Sequence, residues 1–203
     1  GEAMAMCADM AYKDKAYEKA LGLYKQMADR AASQEERVQA RTGAMRSAWM
    51  IKDYQEIVAV ASGLLAESKL TPELKNEAYY YRAKALLAEG QSKEAVNDLS
   101  VLSKDTRNVY GAEAKYLLAQ LYFDAGQTDK AEKEVLDYIE VSTPHAYWLA
   151  RSFVLLSDVY MKLGRNLDAK QYLLSLQQNY QADDDIAGMI ETRLAKLNKG
   201  SKQ

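Results

Sequence analysis

The amino-acid sequence predicts an all-α fold: a right-handed α-solenoid of about five antiparallel helix hairpins, closed by a C-terminal capping helix. Three observations lead there. Strong helix formers abound while only two prolines and ten glycines interrupt the 203 residues, which favours long helices joined by tight turns and disfavours sheet. Glycine precedes alanine by five positions in LLAEGQSKEA (86–95), YFDAGQTDKA (122–131) and YMKLGRNLDA (160–169). Aligning the chain on that alanine brings Ala20, Ile57, Ala95, Ala131 and Ala169 into register at spacings of 37, 38, 36 and 38 residues. A sustained period of this length marks one supersecondary unit stacked repeatedly.

The period divides the chain into hairpins at about 1–32, 33–70, 71–105, 106–142 and 143–182, a capping helix at 183–198 and a tail at 199–203. In the first hairpin Met4, Cys7, Ala8 and Ala11 form an apolar stripe, which predicts a buried Cys7. The turns KDKAYEKA (13–20) and KDYQEI (52–57) lack glycine; there Asp14 and Asp53 are the expected caps, with Tyr17 and Tyr54 over the turns. Ser33 followed by Glu36 reads as a capping box. Thr71-Pro72 and Thr143-Pro144 each place a capping threonine before proline at a helix start.

In the third to fifth hairpins Gly90, Gly126 and Gly164 suit the left-handed residue that ends a helix. Ser92, Thr128 and Asn166 are the expected N-caps of the helices that follow. The registered alanine lies one turn further on, where a small side chain lets the two helices cross closely. Beyond the last hairpin, Ile186, Met189, Ile190, Leu194 and Leu197 lie on one stripe of ADDDIAGMIETRLAKLNKG (182–200), as a terminal helix covering the end of a solenoid requires.

A formal net charge of −2, from 27 basic and 29 acidic side chains, leaves no electrostatic footprint for a phosphate backbone, so nucleic acid is excluded as the main partner. The single cysteine can form neither an internal disulfide nor a multi-cysteine metal site. No apolar run reaches the length of a membrane-spanning helix and no signal peptide is visible. The start GEAMAMCADM, with helical periodicity already under way, reads as the edge of a piece of a longer protein. Asp183-Asp184-Asp185 lacks the alternation and glycine of a calcium loop and reads as helix capping. His145, the lone histidine, reads as a surface residue at a helix start. No phosphate loop, nucleophile elbow or zinc spacing is present, so neither catalysis nor a cofactor is expected.

The repeats resemble the tetratricopeptide repeat family. Leu118, Ala119, Tyr122, Gly126 and Ala131, then Leu156, Ser157, Tyr160, Gly164 and Ala169, stand where that family has its leucine, small residue, tyrosine, glycine and alanine. The third copy matches through Tyr79, Ala83, Leu86, Gly90 and Ala95, and the first through Ala8, Tyr17, Ala20 and Tyr24. Copy two diverges, with Met45 at the small position and Ile57 for alanine. The period exceeds the usual 34 residues, which implies slightly longer helices. The ending YLLSLQQNY with RLAKL is similar to tetratricopeptide proteins of the bacterial cell envelope, where such repeats scaffold larger assemblies.

That resemblance implies a non-enzymatic scaffold that binds a protein or peptide on the concave face made by the first helix of each hairpin. The face would present Gln39, Thr42, Arg46 and Trp49, then Glu77, Tyr80, Lys84 and Leu87. Copies four and five would add Glu113, Tyr116, Gln120 and Phe123, then Arg151, Val154, Asp158 and Met161. Aromatics among charges of both signs suit a protein surface, although Trp49, Tyr80, Tyr116 and Phe123 stand at helical spacing, where aromatics more often serve interhelix packing. The lysine and asparagine clamp with which some relatives grip a chaperone's carboxylate tail is not reproduced. Two other readings remain open: a structural spacer or self-association module, and the regulatory arm of a larger enzyme or sensor.

Overall fold

A computed structural model describes residues 1–200. Among them are eleven α-helices and no strand: α1 (Glu2–Lys13), α2 (Tyr17–Asp29), α3 (Gln34–Ile51), α4 (Tyr54–Leu65), α5 (Pro72–Ala88), α6 (Ser92–Leu102), α7 (Val109–Asp124), α8 (Thr128–Glu140), α9 (Ala146–Lys162), α10 (Asn166–Asn179) and α11 (Ile186–Gly200). Residues 201–203, expected as part of the tail, lie outside the described residues. The chain divides into two compact units, Gly1–Asp98 and Leu99–Gln203.

One backbone device closes all five hairpin turns. After α7, Gly126 takes φ +77°, its N–H donates to the Phe123 carbonyl at 3.0 Å, and Gln127 N–H donates to the Tyr122 carbonyl at 2.8 Å. This pair of bonds is a Schellman motif, and it satisfies carbonyls that the helix end would otherwise orphan. Gly90 (φ +75°) and Gly164 (φ +75°) repeat it. The two glycine-free turns use the same closure rather than a different one, with Lys15 at φ 64° and Lys52 at φ 58° in the left-handed conformation.

That closure also overturns most of the expected caps. Gln127 and Arg165, the third residues past α7 and α9, serve as N-caps of α8 and α10 without a side-chain hydrogen bond. Thr128, Ser92 and Asn166 are therefore the first residues inside their helices. The turn is too short to leave a separate capping position. Asp14 sits at the end of α1 rather than capping α2, whereas Asp53 accepts from Glu56 N–H at 3.2 Å.

Between hairpins, where the links are longer, side-chain caps do occur. Thr71 accepts from Leu74 N–H and Asn108 from Tyr110 N–H. Ser33 accepts from Glu36 N–H, while the Glu36 carboxylate reaches back to Ala32 N–H. Thr143 does not start a helix, since α9 begins at Ala146. Its hydroxyl donates to the Thr106 carbonyl at 2.8 Å, and the Thr106 hydroxyl donates to the Ser142 carbonyl at 2.8 Å. The two inter-hairpin links of the second unit are thereby stapled together.

The five register residues Ala20, Ile57, Ala95, Ala131 and Ala169 are all fully buried, which places each at its helix crossing. In the first unit Ala8, Ala11, Ala20, Leu21, Tyr24, Ala44, Ala48 and Ile57 form a core, with a second cluster of Met45, Ala61, Leu64 and Ala78. Arg82 clamps Asp98 with two bonds of 2.7 and 2.8 Å. Cys7, against expectation, is exposed: α1 buries Ala8 and Ala11, and Cys7 falls with Met6 and Met10 on the outward side.

In the second unit Tyr116, Ala119, Val135, Leu155, Leu156 and Tyr160 form one core cluster. Ala150, Val154, Leu173, Leu176, Ile186 and Ile190 form the next, through which α11 packs on α9 and α10. Lys115, itself buried, bonds Glu134 at 2.8 Å and Asp137 at 2.7 Å across the α7–α8 hairpin.

Candidate functional site

The expected first-helix residues fall into two groups, one in each unit. In the first unit α3 and α5 lie side by side and carry Arg46, Trp49, Glu77, Tyr80 and Lys84. Arg46 and Glu77 form a two-pronged ion pair at 2.8 Å for both bonds. Trp49 stacks on Tyr81 with centroids 4.4 Å apart and planes 15° from parallel, and Tyr80 lies 6.1 Å from each ring. Lys52 sits 4.2 Å over the indole and Lys84 is 5.8 Å from the Tyr80 ring. Trp49, Tyr80 and Tyr81 are all half-buried, so each ring both packs and keeps an accessible edge. Thr42, expected on this surface, is buried and donates to the Val38 carbonyl.

In the second unit α7 and α9 carry the remaining residues. Tyr116 and Glu113 are buried rather than presented, as is Val154. Trp148 stacks on the Tyr116 ring at 5.6 Å and Arg151 covers it at 4.8 Å, so α9 closes over this part of α7. Arg151 Nη2 donates to Tyr116 Oη at 2.8 Å and Nη1 to Tyr147 Oη at 3.0 Å. The Tyr116 hydroxyl donates to Gln120, which in turn donates to Asp124. Tyr147 donates to Asp185. The guanidinium is thus held by two phenols, with no carboxylate in ion-pair contact among the described residues.

Further along α9, Asp158 receives two bonds from Arg193 of α11, at 2.8 and 2.9 Å. Beside this pair opens a cleft of about 660 Å3 lined by Phe123, Asp158, Met161, Lys162, Asn166, Thr192, Arg193, Lys196 and Leu197. Three expected groove residues, Phe123, Asp158 and Met161, meet there. Sequence reasoning missed Tyr147, Trp148, Lys162, Arg193 and Lys196. The aromatic pair at 147–148 was a visible signal, whereas Arg193 gains its role only through the packing of α11.

No group of three or more His, Cys, Asp or Glu residues capable of holding a metal occurs among the described residues, and none of their helices is long and apolar enough to cross a membrane.

Residues 112–143 and 150–179, the α7–α8 and α9–α10 hairpins with their buried Ala131 and Ala169, match the family model described as tetratricopeptide repeat. The chain thus contains tetratricopeptide repeats. Solved tetratricopeptide structures share the fold. MamA superposes with a TM-score of 0.69 at 16% identity, over 87% of this chain and 90% of that one. YrrB, described as a tetratricopeptide protein with an unusual peptide-binding site, gives 0.66 at 18% identity, over 91% and 88%. A putative kinesin light chain with nearly identical repeats from Podosopora anserina gives 0.61 at 18% identity, over 87% and 92%. At these identities the likeness establishes an all-α helical-repeat solenoid and nothing finer. No curated protein matches the chain in sequence. Tetratricopeptide scaffolds commonly mediate protein–protein interaction and are typically non-enzymatic.

Proposed function

We propose that this chain is a non-enzymatic scaffold that holds a partner's peptide or protein segment against the first helices of its hairpins. The cleft between α7, α9 and α11 carries the reading: Phe123, Met161 and Leu197 offer an apolar floor, with charged groups at its rim. Burying an apolar side chain in such a setting supplies affinity, while the rim fixes orientation. In the first unit the accessible edges of Trp49, Tyr80 and Tyr81 offer a second aromatic platform of the kind enriched at binding hot spots. The peptide-binding site in YrrB's description accords with this use of the fold.

Selection of peptides from a random displayed library against the whole chain tests the reading. Enriched peptides should lose most of their affinity for a Phe123→Ala/Met161→Ala variant whose melting curve stays cooperative. Peptides that bind the variant undiminished would remove the cleft from consideration. A second reading, self-association, rests on Leu163, Leu167 and Leu174, which are 43%, 71% and 44% exposed along the end of α9 and α10. Light scattering showing a dimer that dissociates on Leu167→Lys would favour it.

A further inference from the structure

We propose that the segment received by the α7–α9–α11 face is acidic, with carboxylates on either side of an apolar anchor. The inference rests on the reading of that face as a peptide site and concerns what the peptide must carry. Arg151, Asp158 and Lys162 stand seven and four residues apart on α9, close to whole turns, so they line one side of the helix. Three carboxylates near this line accept bonds within the chain, one from a cation and two from neutral groups. Asp158 is matched by Arg193, Asp124 accepts from Gln120, and Asp185 accepts from Tyr147. Of the cations lining the cleft, Arg193 is matched in return, whereas Lys162 and Lys196 are not matched among the described residues.

Arg151 is half-buried and satisfied only by neutral phenols and ring faces. Lys162 lies 5.7 Å from the Phe123 ring and forms no ion pair among the described residues, and neither does Lys196 on the opposite wall. Two lysines without an ion pair thus flank the apolar floor, with Arg151 about three turns away along α9, in a protein whose net charge is −2. The desolvation that burial imposes on Arg151 favours an anionic partner in particular, because a guanidinium bonded to a carboxylate is held more strongly than one bonded to hydroxyls. Arg151 and Lys162 are separated by roughly 16 Å of helix rise. About five residues of extended chain cover that distance, which leaves room for an apolar side chain against Phe123, Met161 and Leu197 between two acidic ones.

The library selection is read for composition and then for charge dependence by fluorescence anisotropy. Enriched peptides should carry two or more Asp or Glu residues around an apolar one. Their affinity should fall by about 10-fold or more in a Lys162→Glu/Lys196→Glu variant. Arg151→Gln should weaken binding as well, and changing the peptide's Glu residues to Gln should abolish the difference between intact and variant chains. Basic or neutral enriched peptides, or acidic ones that bind the charge-reversed variant as tightly, would overturn the proposal. If binding is lost in Phe123→Ala/Met161→Ala yet indifferent to the lysine reversals, the cleft stands as a peptide site and its acidic preference falls. If neither variant matters, or no peptide is enriched, both readings fall. Equal binding of a single-stranded oligonucleotide would mark a general polyanion site and would also overturn the assignment to peptide.

Discussion

Gly111, near the start of α7, lies so close to the Asp105 carbonyl that a methyl carbon added to it would sit 1.9 Å from that oxygen, and 2.5 Å from the Leu102 carbonyl. The link between α6 and α7 is thus folded directly onto the backbone of α7. Alanine at a helical position usually stabilises by about 0.5–1 kcal/mol over glycine. Here backbone atoms block it, and overpacking of this kind costs about 1–3 kcal/mol. Gly111→Ala should lower the melting temperature. Gly22, exposed on α2 with nothing within 4 Å of an added methyl carbon, is the control: Gly22→Ala should raise it.

The left-handed lysines give a prediction of opposite sign. A non-glycine residue in that conformation carries strain of roughly 1 kcal/mol, which glycine lacks. Lys15→Gly should therefore stabilise the first hairpin turn by several tenths of a kcal/mol, after the added freedom of the unfolded chain is subtracted. Lys52→Gly should gain less, because Lys52 also rests 4.2 Å over the Trp49 ring and that cation–π contact is worth about 0.5–1 kcal/mol. Chemical denaturation of the two variants measures the difference.

The pair also shows what the sequence could disclose. The crossing alanines were legible because each hairpin needs a small or well-fitted residue once per period, and Ala20, Ala95, Ala131 and Ala169 recur at that interval. Gly90, Gly126 and Gly164 announced their turns because only glycine signals a positive φ without strain. Lys15 and Lys52 adopt the same turn under compulsion from the flanking helices, and lysine leaves no local mark of it. The N-caps misled for a related reason: Ser92, Thr128 and Asn166 are good capping residues, but the closure places Gln127 and its equivalents first. Cys7 misled because α1 is apolar on both sides, so Met6 and Met10 could not be told from Ala8 and Ala11 by periodicity. At the site, helical spacing grouped Phe123, Asp158 and Met161, which line one cleft. It could not foresee that Tyr116 would be covered by Trp148 or that Arg193 would reach Asp158, since those contacts span 32 and 35 residues and depend on how one helix settles against the next.

The Arg193–Asp158 bridge predicts how firmly α11 is held. Both side chains are about one-quarter exposed, so solvent screens the pair, and a fully buried bridge's penalty does not apply. The two parallel bonds still favour the docked helix by about 1 kcal/mol. Arg193→Met keeps the aliphatic stem and removes the bonds. Amide hydrogen exchange in α11 should quicken several-fold in that variant, while α7 and α8 exchange as before. Unchanged protection in α11 would show that Ile186 and Ile190, both buried, hold the helix alone.

Alkaline pH should probe the centre of the second unit through Tyr138. Its ring is fully buried and its hydroxyl donates to the Ala112 carbonyl at 3.1 Å. Burial, only partly offset by the Thr143 hydroxyl, pushes the phenol up to about 12 from its ordinary 10.0. Because the folded value is the higher one, the stability it contributes is complete below pH 10 and is lost as pH rises toward 12. Two pH units correspond to about 3 kcal/mol at most. Tyr138→Phe forfeits the hydrogen bond, about 1 kcal/mol at neutral pH, yet has no proton to lose. The gap between the two proteins' unfolding free energies should therefore narrow and then reverse between pH 10 and 12. A gap that stays constant through that range would mean the phenol titrates alike in the folded and unfolded chains, and that its burial is relieved before ionisation.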